Sequence, residues 1–585
     1  MQHRSVAGLV VVTTVIAVLV GAAGTAGAVA GADTVAVESD AGERGAVDTE
    51  AETRRAASVG ERNQSDGPSD PDEDVLGWEN GVWHNESIDV TPDDGYDRTE
   101  IERIVARSMA RVEYIRGLEF EQEPSVELIT RDEYRQFTND IYSNVTNTTT
   151  KQRLHQNTKF EALFLVGEDE SYFADFVANQ GSIASAFHVN EDIPEHGFEE
   201  GDIGVVVSSD GRATELVEST LGHELLHFVQ NNRFDNGQFS GGPTEEAANV
   251  NTSLVEGDAT WVGQTYGERC GSEWDCLPSS ESSPPGYANF GLVLYSFGPY
   301  SNTATLFDRL YEEGGVEAMN GLYENPPEST EQFLHPADYP DDEPVDVEYE
   351  DRSSDEWEMQ TFADGVDYAT FGEVGIFTML YYPSYQTRST VVMPPTYITE
   401  GARDDTYVRL DFVHPASTGW EGDEMFIYTD DSSATTNETG YAWKTVWESP
   451  DEATEFADAY TTVLAEYGTA VDSYRDTYRI PDRSAFGDAF YVDVSGDTVT
   501  VVNAPTVERL SEVRQGAAPR VETTTTTDGG SETTTTTDGG GETATTTGGG
   551  GDGTGDGDGR AQPGFGVVLA VVALLAAVVL LRRRD

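Results

Sequence analysis

Apolar and polar residues alternate in two different ways along this chain. Apolar side chains three and four positions apart predict amphipathic helices, whereas alternating or short continuous apolar runs predict strands. Before residue 391 the helical pattern dominates, and between the two predicted strands at most two further strand-like pieces stand out. The helices predicted there lie at 97–117, 213–231, 244–266, 289–312 and 363–381, and the strands at 125–134 and 203–209.

The pattern changes at residue 391, where strand-like runs become frequent. A helix is predicted after Ser449, whose side chain can cap the first helical turn. Apolar alternation on both sides of Gly496 and Asp497 predicts a hairpin. These elements predict a compact α+β unit over 391–515, either a second domain or the far lobe of the first. The strand-like runs are STVVMPPTYI, YVRLDFV, EMFIYTD and YAWKTVWES.

Both ends of the chain have the pattern of targeting segments. At the N terminus, Arg4 precedes an apolar run and then small residues up to Ala30, which predicts a secretory signal peptide. At the C terminus, the apolar stretch 566–581 is marginally long enough to span a membrane and ends in three arginines. Because such arginines stay in the cytoplasm, the chain before them is predicted to lie outside the cell.

Two stretches are too poor in apolar residues to fold. The first is acidic and rich in Gly and Ser, which predicts a disordered leader. The second repeats Thr, Gly and Asp, which predicts a flexible, O-glycosylated stalk. The predicted order is a signal peptide at 1–30, the leader at 31–75, a main domain at 76–390, the α+β unit at 391–515, the stalk at 516–560 and the apolar C-terminal segment at 563–585.

The charge of the chain is extreme. Acidic residues outnumber basic ones by 107 to 34, and the net charge is −73. In ordinary buffer such a surface repels itself, whereas in molar salt the screening length falls to about 3 Å. Because the acidic residues are spread over the whole chain, the composition indicates a halophile's surface. A basic patch for phosphates is missing from the sequence, which argues against nucleic-acid binding.

Cysteines and glycosylation sequons agree with export. Cys270 and Cys276 are the only cysteines, and in an oxidising compartment they predict a small-loop disulfide. A metal-binding pair is the alternative, but no further cysteine or adjacent histidine completes it. Acceptor sequons for N-linked glycan are present at Asn63, Asn85, Asn144, Asn147, Asn251 and Asn437.

One predicted helix carries the pattern of a metal centre. In TLGHELLHFVQ, His223 and His227 are four residues apart, so their imidazoles project from one helix face about a turn apart. Glu224 follows the first histidine, where a carboxylate can take a proton from an attacking water. Two neutral imidazoles suit Zn²⁺ and need at least one more protein ligand.

Two glutamates on the next predicted helix compete for the role of third ligand. Glu246 lies eighteen residues after His227, and Glu256 lies further along in SLVEGDATWV. On one helix they are about 15 Å apart along the axis and cannot share a metal. We favour Glu256, because a charged pair on an otherwise apolar helix is hard to explain by packing. Asp258 either orients a ligating histidine or caps and solvates the helix locally.

Several segments resemble one family. LGHELLHFVQNNRFD and LVEGDATWV are similar to the HExxH and EGDA helices of a widespread group of uncharacterised gluzincin-type zinc metallopeptidase-like proteins. NPPESTEQFLHPADY, FGEVGIFTMLY and STGWEGDEMFIY are similar to later segments of that group, so the resemblance covers about residues 100–480. The chain departs from the group beside the ligands, at Phe228-Val229 and Asn231-Asn232, but not at them.

This resemblance implies an α+β fold with a zincin-like core, in which the HExxH helix faces a second, glutamate-bearing helix. It also implies Zn²⁺ bound by His223, His227 and Glu256, with Glu224 as general base. His335, in QFLHPADY, either stabilises an oxyanion in the cleft or is bonded into the turn before Pro336. Further oxyanion donors to be weighed against core or surface roles are Tyr295, Tyr311 and Tyr339.

The C-terminal segment resembles a sorting signal. Pro563, Gly564 and Phe565 precede an apolar helix and a basic tail, as in the PGF-CTERM signal of haloarchaeal surface proteins. That resemblance implies recognition by an archaeosortase, removal of the tail and attachment to a membrane lipid. A plain tail anchor is the alternative, and in both cases the protein faces outward.

The sequence therefore predicts an exported zinc metallopeptidase-like protein anchored to the outer face of a halophilic archaeal cell. Its substrate is predicted to be a peptide or protein. The alternative is a non-catalytic, S-layer-associated structural or adhesive glycoprotein that retains a zinc site. Hydrolysis of a non-peptide substrate at the same metal also stays open.

Overall fold

The computed structural model describes most of the chain between the leader and the stalk. The described residues are 13–14, 70–91, 95–142, 149–183, 186–189, 192–207, 216–234, 236–239, 241–278, 287–363, 365–401, 407–408 and 410–522. Apart from residues 13–14 and 70–75, the predicted signal peptide and leader lie outside them, as do the stalk beyond residue 522 and the C-terminal segment. Among the described helices, none has both the length and the apolar character needed to cross a membrane.

Helices and strands are intermixed throughout, and the predicted α+β class is confirmed. The strands are β1 Thr13–Thr14, β2 Trp78–Glu79, β3 Val82–Trp83, β4 Val126–Thr130, β5 Ala186–His188, β6 Ile203–Val207, β7 Glu358–Met359, β8 Trp420–Thr429, β9 Gly440–Trp447, β10 Thr469–Ala470, β11 Thr477–Arg479, β12 Ala489–Ser495 and β13 Thr498–Ala504. The helices are α1 Arg98–Arg116, α2 Arg131–Tyr142, α3 Thr150–Ala162, α4 Tyr172–Ile183, α5 Glu218–Phe234, α6 Glu245–Arg269, α7 Phe290–Phe297, α8 Ala304–Glu324, α9 Glu331–Leu334, α10 Gly372–Thr387, α11 Tyr397–Glu400, α12 Ser433–Thr436, α13 Pro450–Tyr467 and α14 Val507–Val513.

The first part of the chain builds a small mixed sheet with helices beside it. The strand order is β1-β5-β6-β4, with β4 parallel to β6 and β5 antiparallel to it. β1 consists of two residues of the predicted signal peptide and pairs with the end of β5. The predicted strand at 125–134 is correct only in its first half, because α2 begins at Arg131. Three helices, α2 to α4, occupy most of the stretch in which we had expected no more than two strand-like pieces.

Three helices hold the hydrophobic core of this part together. α1 begins with a capping box at Asp97 and Glu100 and ends at Gly117, in the left-handed conformation. α5 and α6 approach closely at Gly263, where an added Cβ would lie 3.1 Å from the Ser219 carbonyl oxygen and 3.4 Å from the His223 Cβ. Gly257, the glycine next to Glu256, lets α8 and not α5 approach α6. A Cβ added at Gly257 would lie 2.8 Å from the Phe307 ring on α8.

The second part of the chain builds a seven-stranded sheet in the order β10-β11-β12-β13-β9-β8-β7. The predicted hairpin at Gly496 is formed by β12 and β13, and Ser449 caps α13 as predicted, since its side chain accepts from the Glu452 N–H. β7 precedes residue 391 in the sequence, but it pairs with β8 and so belongs to this sheet. A large apolar core is built from residues of the sheet, α7, α10 and α13, and it contains Trp443 and Phe377.

Two predicted strands in this part are wrong. The run at 389–398 contains Pro394 and Pro395, which cannot donate to a ladder, and α11 begins within it. The described residues of the run at 407–413 form no strand. There Leu410 and Phe412 are buried, but their N–H groups donate to the side chains of Ser301 and Asn302.

The glycosylation candidates differ in how exposed their side chains are. Asn85 is exposed, whereas Asn251 is half-buried in α6 and its side-chain nitrogen donates to the Gly241 carbonyl at 2.6 Å. That nitrogen is the atom to which a glycan is attached. We therefore expect peptide mass spectrometry of the exported protein to find glycan on Asn85 and an unmodified Asn251; a glycan on Asn251 would contradict this packing.

The exposure of the other sequons does not decide so clearly whether they carry glycan. Asn437 is half-buried, with a positive φ of 64° at the end of α12. The remaining candidates, Asn63, Asn144 and Asn147, lie outside the described residues.

Candidate metal centre

Two imidazoles and one carboxylate converge between α5 and α6. The Nε2 atoms of His223 and His227 are 3.0 Å apart, and Glu256 Oε2 lies 3.0 Å from the first and 3.4 Å from the second. Four zinc ligands with bonds of about 2.0–2.1 Å have neighbours about 3.3 Å apart in a tetrahedron. The donor set and its spacing therefore fit a zinc ion.

The helices explain why these atoms meet. His223 and His227 lie one turn apart on α5, and Glu256 lies on α6, which crosses the same face. All three residues are buried, with at most 5% of their surface exposed. Three polar groups without a cation would be costly in such a place. Their convergence therefore makes this group a candidate ligand site.

Hydrogen bonds behind the histidines fix their orientation. His227 Nδ1 lies 2.8 Å from Gln230 Oε1, and the Gln230 amide nitrogen donates to the Val255 carbonyl and to the Tyr323 hydroxyl, each at 2.9 Å. Because the amide nitrogen faces these two acceptors, its oxygen must face the histidine, so His227 Nδ1 carries a proton. The lone pair of His227 Nε2 is then available for a metal.

The hydrogen-bonded chain continues to a buried ion pair. The Tyr323 hydroxyl donates to Asp258 at 2.8 Å, and the Arg116 guanidinium donates to both oxygens of Asp258, at 2.8 and 3.1 Å. The side chains of Arg116 and Asp258 are fully buried. Among the described contacts Asp258 touches no histidine directly. It is linked to His227 through Tyr323 and Gln230.

The protonation of the centre is set by close opposite charges. Burial alone would lower the pKa of His227, but the neighbouring Glu256 carboxylate outweighs it and raises that pKa to about 9. Burial would raise the pKa of Glu256, but the two histidines outweigh it and lower the pKa to about 2. Burial lowers the pKa of His223. The centre therefore presents an ionised carboxylate and favours positive charge beside it.

Glu224 lies at the same centre. It follows His223 on α5 and is fully buried. Its charge adds to that of Glu256 in raising the pKa of His227, and, after burial and Glu256, in raising the pKa of Tyr300. A carboxylate in this position can act on a water molecule at the metal, as the sequence predicts.

Tyr300 is a site residue that the sequence did not indicate. It ends a short 3₁₀ turn after α7, and its hydroxyl donates to Glu256 Oε1 at 3.0 Å. This bond occupies the carboxylate oxygen that does not face the histidines. The tyrosines weighed as oxyanion donors lie elsewhere: Tyr295 packs in the core around α7 and α10, Tyr311 packs against Trp261, and the Tyr339 hydroxyl donates to the Asn325 carbonyl.

Two other predicted candidates lie in a separate buried group. Glu246, the rival third ligand, accepts from the N–H and hydroxyl of Thr330. Burial raises its pKa to about 8. His335 forms a 2.9 Å ion pair with the buried Glu373. Among the described contacts neither residue touches the histidine pair, so the geometry supports Glu256 as the third ligand and gives His335 no contact with the centre.

The two cysteines lie at the end of α6. Cys270 and Cys276 form a disulfide that closes a short loop after the helix. Arg111, which reaches toward this loop, also donates to Glu218 at the start of α5. The loop therefore fastens the ends of the two ligand-bearing helices.

Replacing Gln230 by leucine is expected to weaken zinc binding by about 10- to 100-fold, because His227 loses the partner that fixes its tautomer and ring angle. The affinity can be measured by competition with a chromogenic chelator in molar salt. Asn232→Leu makes a similar amide-to-leucine change on the same helix, where the side-chain amide donates to the Phe228 carbonyl, and should bind zinc like the wild type. Equal affinities in all three proteins would contradict a role for Gln230.

Comparison with known proteins identifies two regions of the chain. Residues 360–514 match a domain of unknown function, DUF8575, and residues 562–584 match the PGF-CTERM motif. Neither the curated proteins nor the solved structures contain a match to the chain. The PGF-CTERM match confirms the predicted sorting signal, so this is a secreted protein that archaeosortase anchors at the cell surface.

Proposed function

We propose that this protein is a zinc-dependent peptidase acting outside the cell. The observation that carries the proposal is the convergence of His223, His227 and Glu256 beside the buried carboxylate of Glu224. A zinc ion held there would supply Lewis-acid polarisation of a peptide carbonyl and a more acidic water. The zincin-like core inferred from the family resemblance is part of this proposal.

Each residue of the centre would have a separate role. His223, His227 and Glu256 would hold the ion, while the Tyr300 hydroxyl donates to the Glu256 oxygen that does not face the histidines. Glu224 takes a proton from the attacking water and passes it to the leaving amine. The buried setting strengthens these electrostatic effects, because little water is present to screen them.

A peptide substrate is supported by the strand beside the centre. β5 ends at His188, whose ring centroid lies 6.3 Å from that of His227. Among the residues that the structure describes, the outer side of β5 pairs with the two residues of β1, which belong to the predicted signal peptide. Removal of that peptide would expose main-chain groups with which an extended peptide can pair.

A structural zinc site is the second candidate, and the burial of the centre favours it. His227, Glu224 and Glu256 are each at most 1% exposed. A closed site without an open ligand position is typical of zinc that stabilises a fold. In that case the protein would be a surface-anchored structural or adhesive glycoprotein.

Zinc removal separates the two candidates. The purified protein is assayed in molar salt for bound zinc and for casein degradation, before and after chelation and zinc re-addition. The peptidase proposal expects zinc in the protein, and casein degradation that is lost on chelation and restored by zinc. Bound zinc without casein degradation, and a lower melting temperature after chelation, would overturn it in favour of the structural site.

A further inference from the structure

The small mixed sheet has an open edge at β4. In the strand order β1-β5-β6-β4, β4 is the last strand, and among the described residues it pairs with β6 on one side and with no strand on the other. The histidine centre lies near β5, which β6 separates from β4. An unpaired strand edge is a template on which a further strand can form. The β4 edge is therefore a surface apart from the centre.

The main-chain groups of Val126 and Leu128 point outward from this edge. The Ile203 N–H donates to the Ser125 carbonyl at 2.8 Å, so residue 125 directs its main-chain groups toward β6. Along a strand these groups point alternately to the two sides. The odd-numbered residues of β4 therefore face β6, and Val126 and Leu128 face away from it. Because Leu128 is 38% exposed, an incoming strand can reach its N–H and carbonyl.

A cavity of about 420 Å³ lies on the α1 side of the edge. Its floor is apolar, because Ile101, Val105 and Met109 are buried there, and Val126 borders it at the start of β4. The charged side chains in its lining balance one another: Arg98, Arg103, Glu102 and Glu123. An apolar floor without net charge suits an apolar side chain.

A second cavity, of about 350 Å³, lies on the opposite face of the sheet, beside α2 and the turn at 195–198. There Ile129 packs with the core under α2, whereas Val126 packs with the core under α1. The lining of this cavity contains three carboxylates and, among the described residues, no lysine or arginine. The carboxylates belong to Glu127, Glu133 and Glu195.

Little positive charge answers these carboxylates. Arg98 lies 3.8 Å from Glu127, but 75% of the Arg98 side chain is exposed to water. His196, which also lines the cavity, lies 3.5 Å from Asp140 outside it. Among the described contacts, no arginine or lysine reaches Glu133 or Glu195. A basic side chain that enters this cavity would therefore meet carboxylates without a cation of their own.

We propose that the β4 edge binds an extended segment of a partner protein in which apolar and basic residues alternate. The side chains of an added strand point alternately to the two faces of the sheet. Apolar residues would then enter the cavity beside α1, and arginine or lysine residues the acidic cavity beside α2. Main-chain hydrogen bonds to Val126 and Leu128 would supply affinity, and the two cavities would supply specificity.

A second copy of this chain is the less suitable occupant. Its β4 reads VELIT, so it carries Glu127 between two apolar residues. Paired edge to edge, two copies would bring acidic side chains together where the cavity favours a basic one, and such like-charge contacts disfavour a wrong partner. The proposed binding needs neither zinc nor hydrolysis, so it goes beyond the proposed peptidase activity.

A short, end-blocked peptide that alternates valine and arginine is a suitable probe. The full chain is titrated against the fluorescein-labelled peptide in molar KCl, binding is followed by fluorescence anisotropy, and mass spectrometry checks that the peptide stays intact. A second peptide has glutamate in place of each arginine. We expect saturable binding of the basic peptide, about tenfold tighter than that of the acidic one. Equal affinities, or binding that does not saturate, would overturn the proposal.

Leu128→Pro tests the main-chain contact. Proline removes the N–H of residue 128, which points outward, and so leaves the β4–β6 ladder intact. We expect about tenfold weaker binding of the basic peptide, since a hydrogen bond is lost and the ring obstructs the edge, with a melting temperature close to that of the wild type. Leu128→Thr keeps the N–H and should bind within about threefold of the wild type. Unchanged binding by Leu128→Pro would show that the peptide binds elsewhere.

A charge variant, Glu127→Gln with Glu195→Gln, tests the acidic cavity and leaves Glu133 bonded to the Thr130 N–H. It should bind the basic peptide about tenfold more weakly. The control, Glu466→Gln with Glu508→Gln, removes two exposed charges elsewhere and should bind like the wild type. Equal weakening by both pairs would mean that the acidic surface in general attracts the peptide. A wild-type dimer in sedimentation that Leu128→Pro dissociates would assign the edge to a second copy and likewise overturn the proposal.

Discussion

Replacing Glu224 by glutamine is expected to abolish peptide hydrolysis and to leave zinc bound. Glutamine has nearly the same shape, so the fully buried position is still filled, and the three ligands are untouched. What is lost is the group that accepts a proton from the attacking water, and general acid–base catalysis of this kind contributes about 10²- to 10⁴-fold to the rate. Casein degradation in molar salt and metal analysis of the same samples measure both effects.

A matched control uses Glu312, which is exposed on α8. Glu312→Gln makes the same chemical change and should keep full activity. If Glu224→Gln degrades casein as fast as the wild type, Glu224 is not the base and the mechanism is wrong. If it loses zinc together with activity, Glu224 acts in holding the site and not in moving a proton.

Removing Asp258 is expected to lower the free energy of unfolding by about 3–5 kcal/mol, because Asp258→Ala leaves the buried Arg116 guanidinium without its partner. Tyr323 loses an acceptor in the same step. The loss can be measured by denaturant unfolding at fixed molar salt with zinc present. A change below about 1 kcal/mol, which is the size of an exposed pair, would contradict the assigned burial.

A double variant separates the charge from the packing. Replacing both partners of a buried pair by apolar groups is often nearly neutral. Arg116→Met combined with Asp258→Ala should therefore recover part of the stability that the single change removes. If the double variant is less stable than Asp258→Ala alone, the packing of the Arg116 side chain matters more than its charge.

The three residues proposed as metal ligands could be chosen from the sequence because their signal is local. His223 and His227 are brought together by helix geometry alone, and Glu256 could be chosen over Glu246 because it belongs to a charged pair on an otherwise apolar helix. The chain of contacts behind them could not be predicted. Gln230 lies three residues after His227, but its partners Val255 and Tyr323 come from other helices. Tyr300 is likewise brought to Glu256 only by packing of the turn after α7.

The fold was predictable where one pattern persisted over many residues. α1, α6 and α13 were expected nearly at their observed bounds, and β12 and β13 flank a turn glycine with φ of 66°. Prediction failed where apolar residues are buried in segments whose backbone forms neither a helix nor a strand. Met393 is buried in a loop containing Pro394 and Pro395, and Leu410 is buried while its N–H donates to the Ser301 hydroxyl and not to a neighbouring strand. An apolar run indicates burial but does not specify what bonds to its backbone.

The buried ion pair behind His227 is neutral overall, so the charge of the proposed centre depends on its own carboxylates. The formal charges of Arg116 and Asp258 cancel, and histidines bound to a metal would be neutral, so Glu256 and an ionised Glu224 would give the centre a charge of about −2. A divalent ion brings this sum to zero, whereas Na⁺ or K⁺ leaves an uncompensated negative charge in a medium of low dielectric constant. Valence can therefore select the metal even in brine, where monovalent ions are present in vast excess.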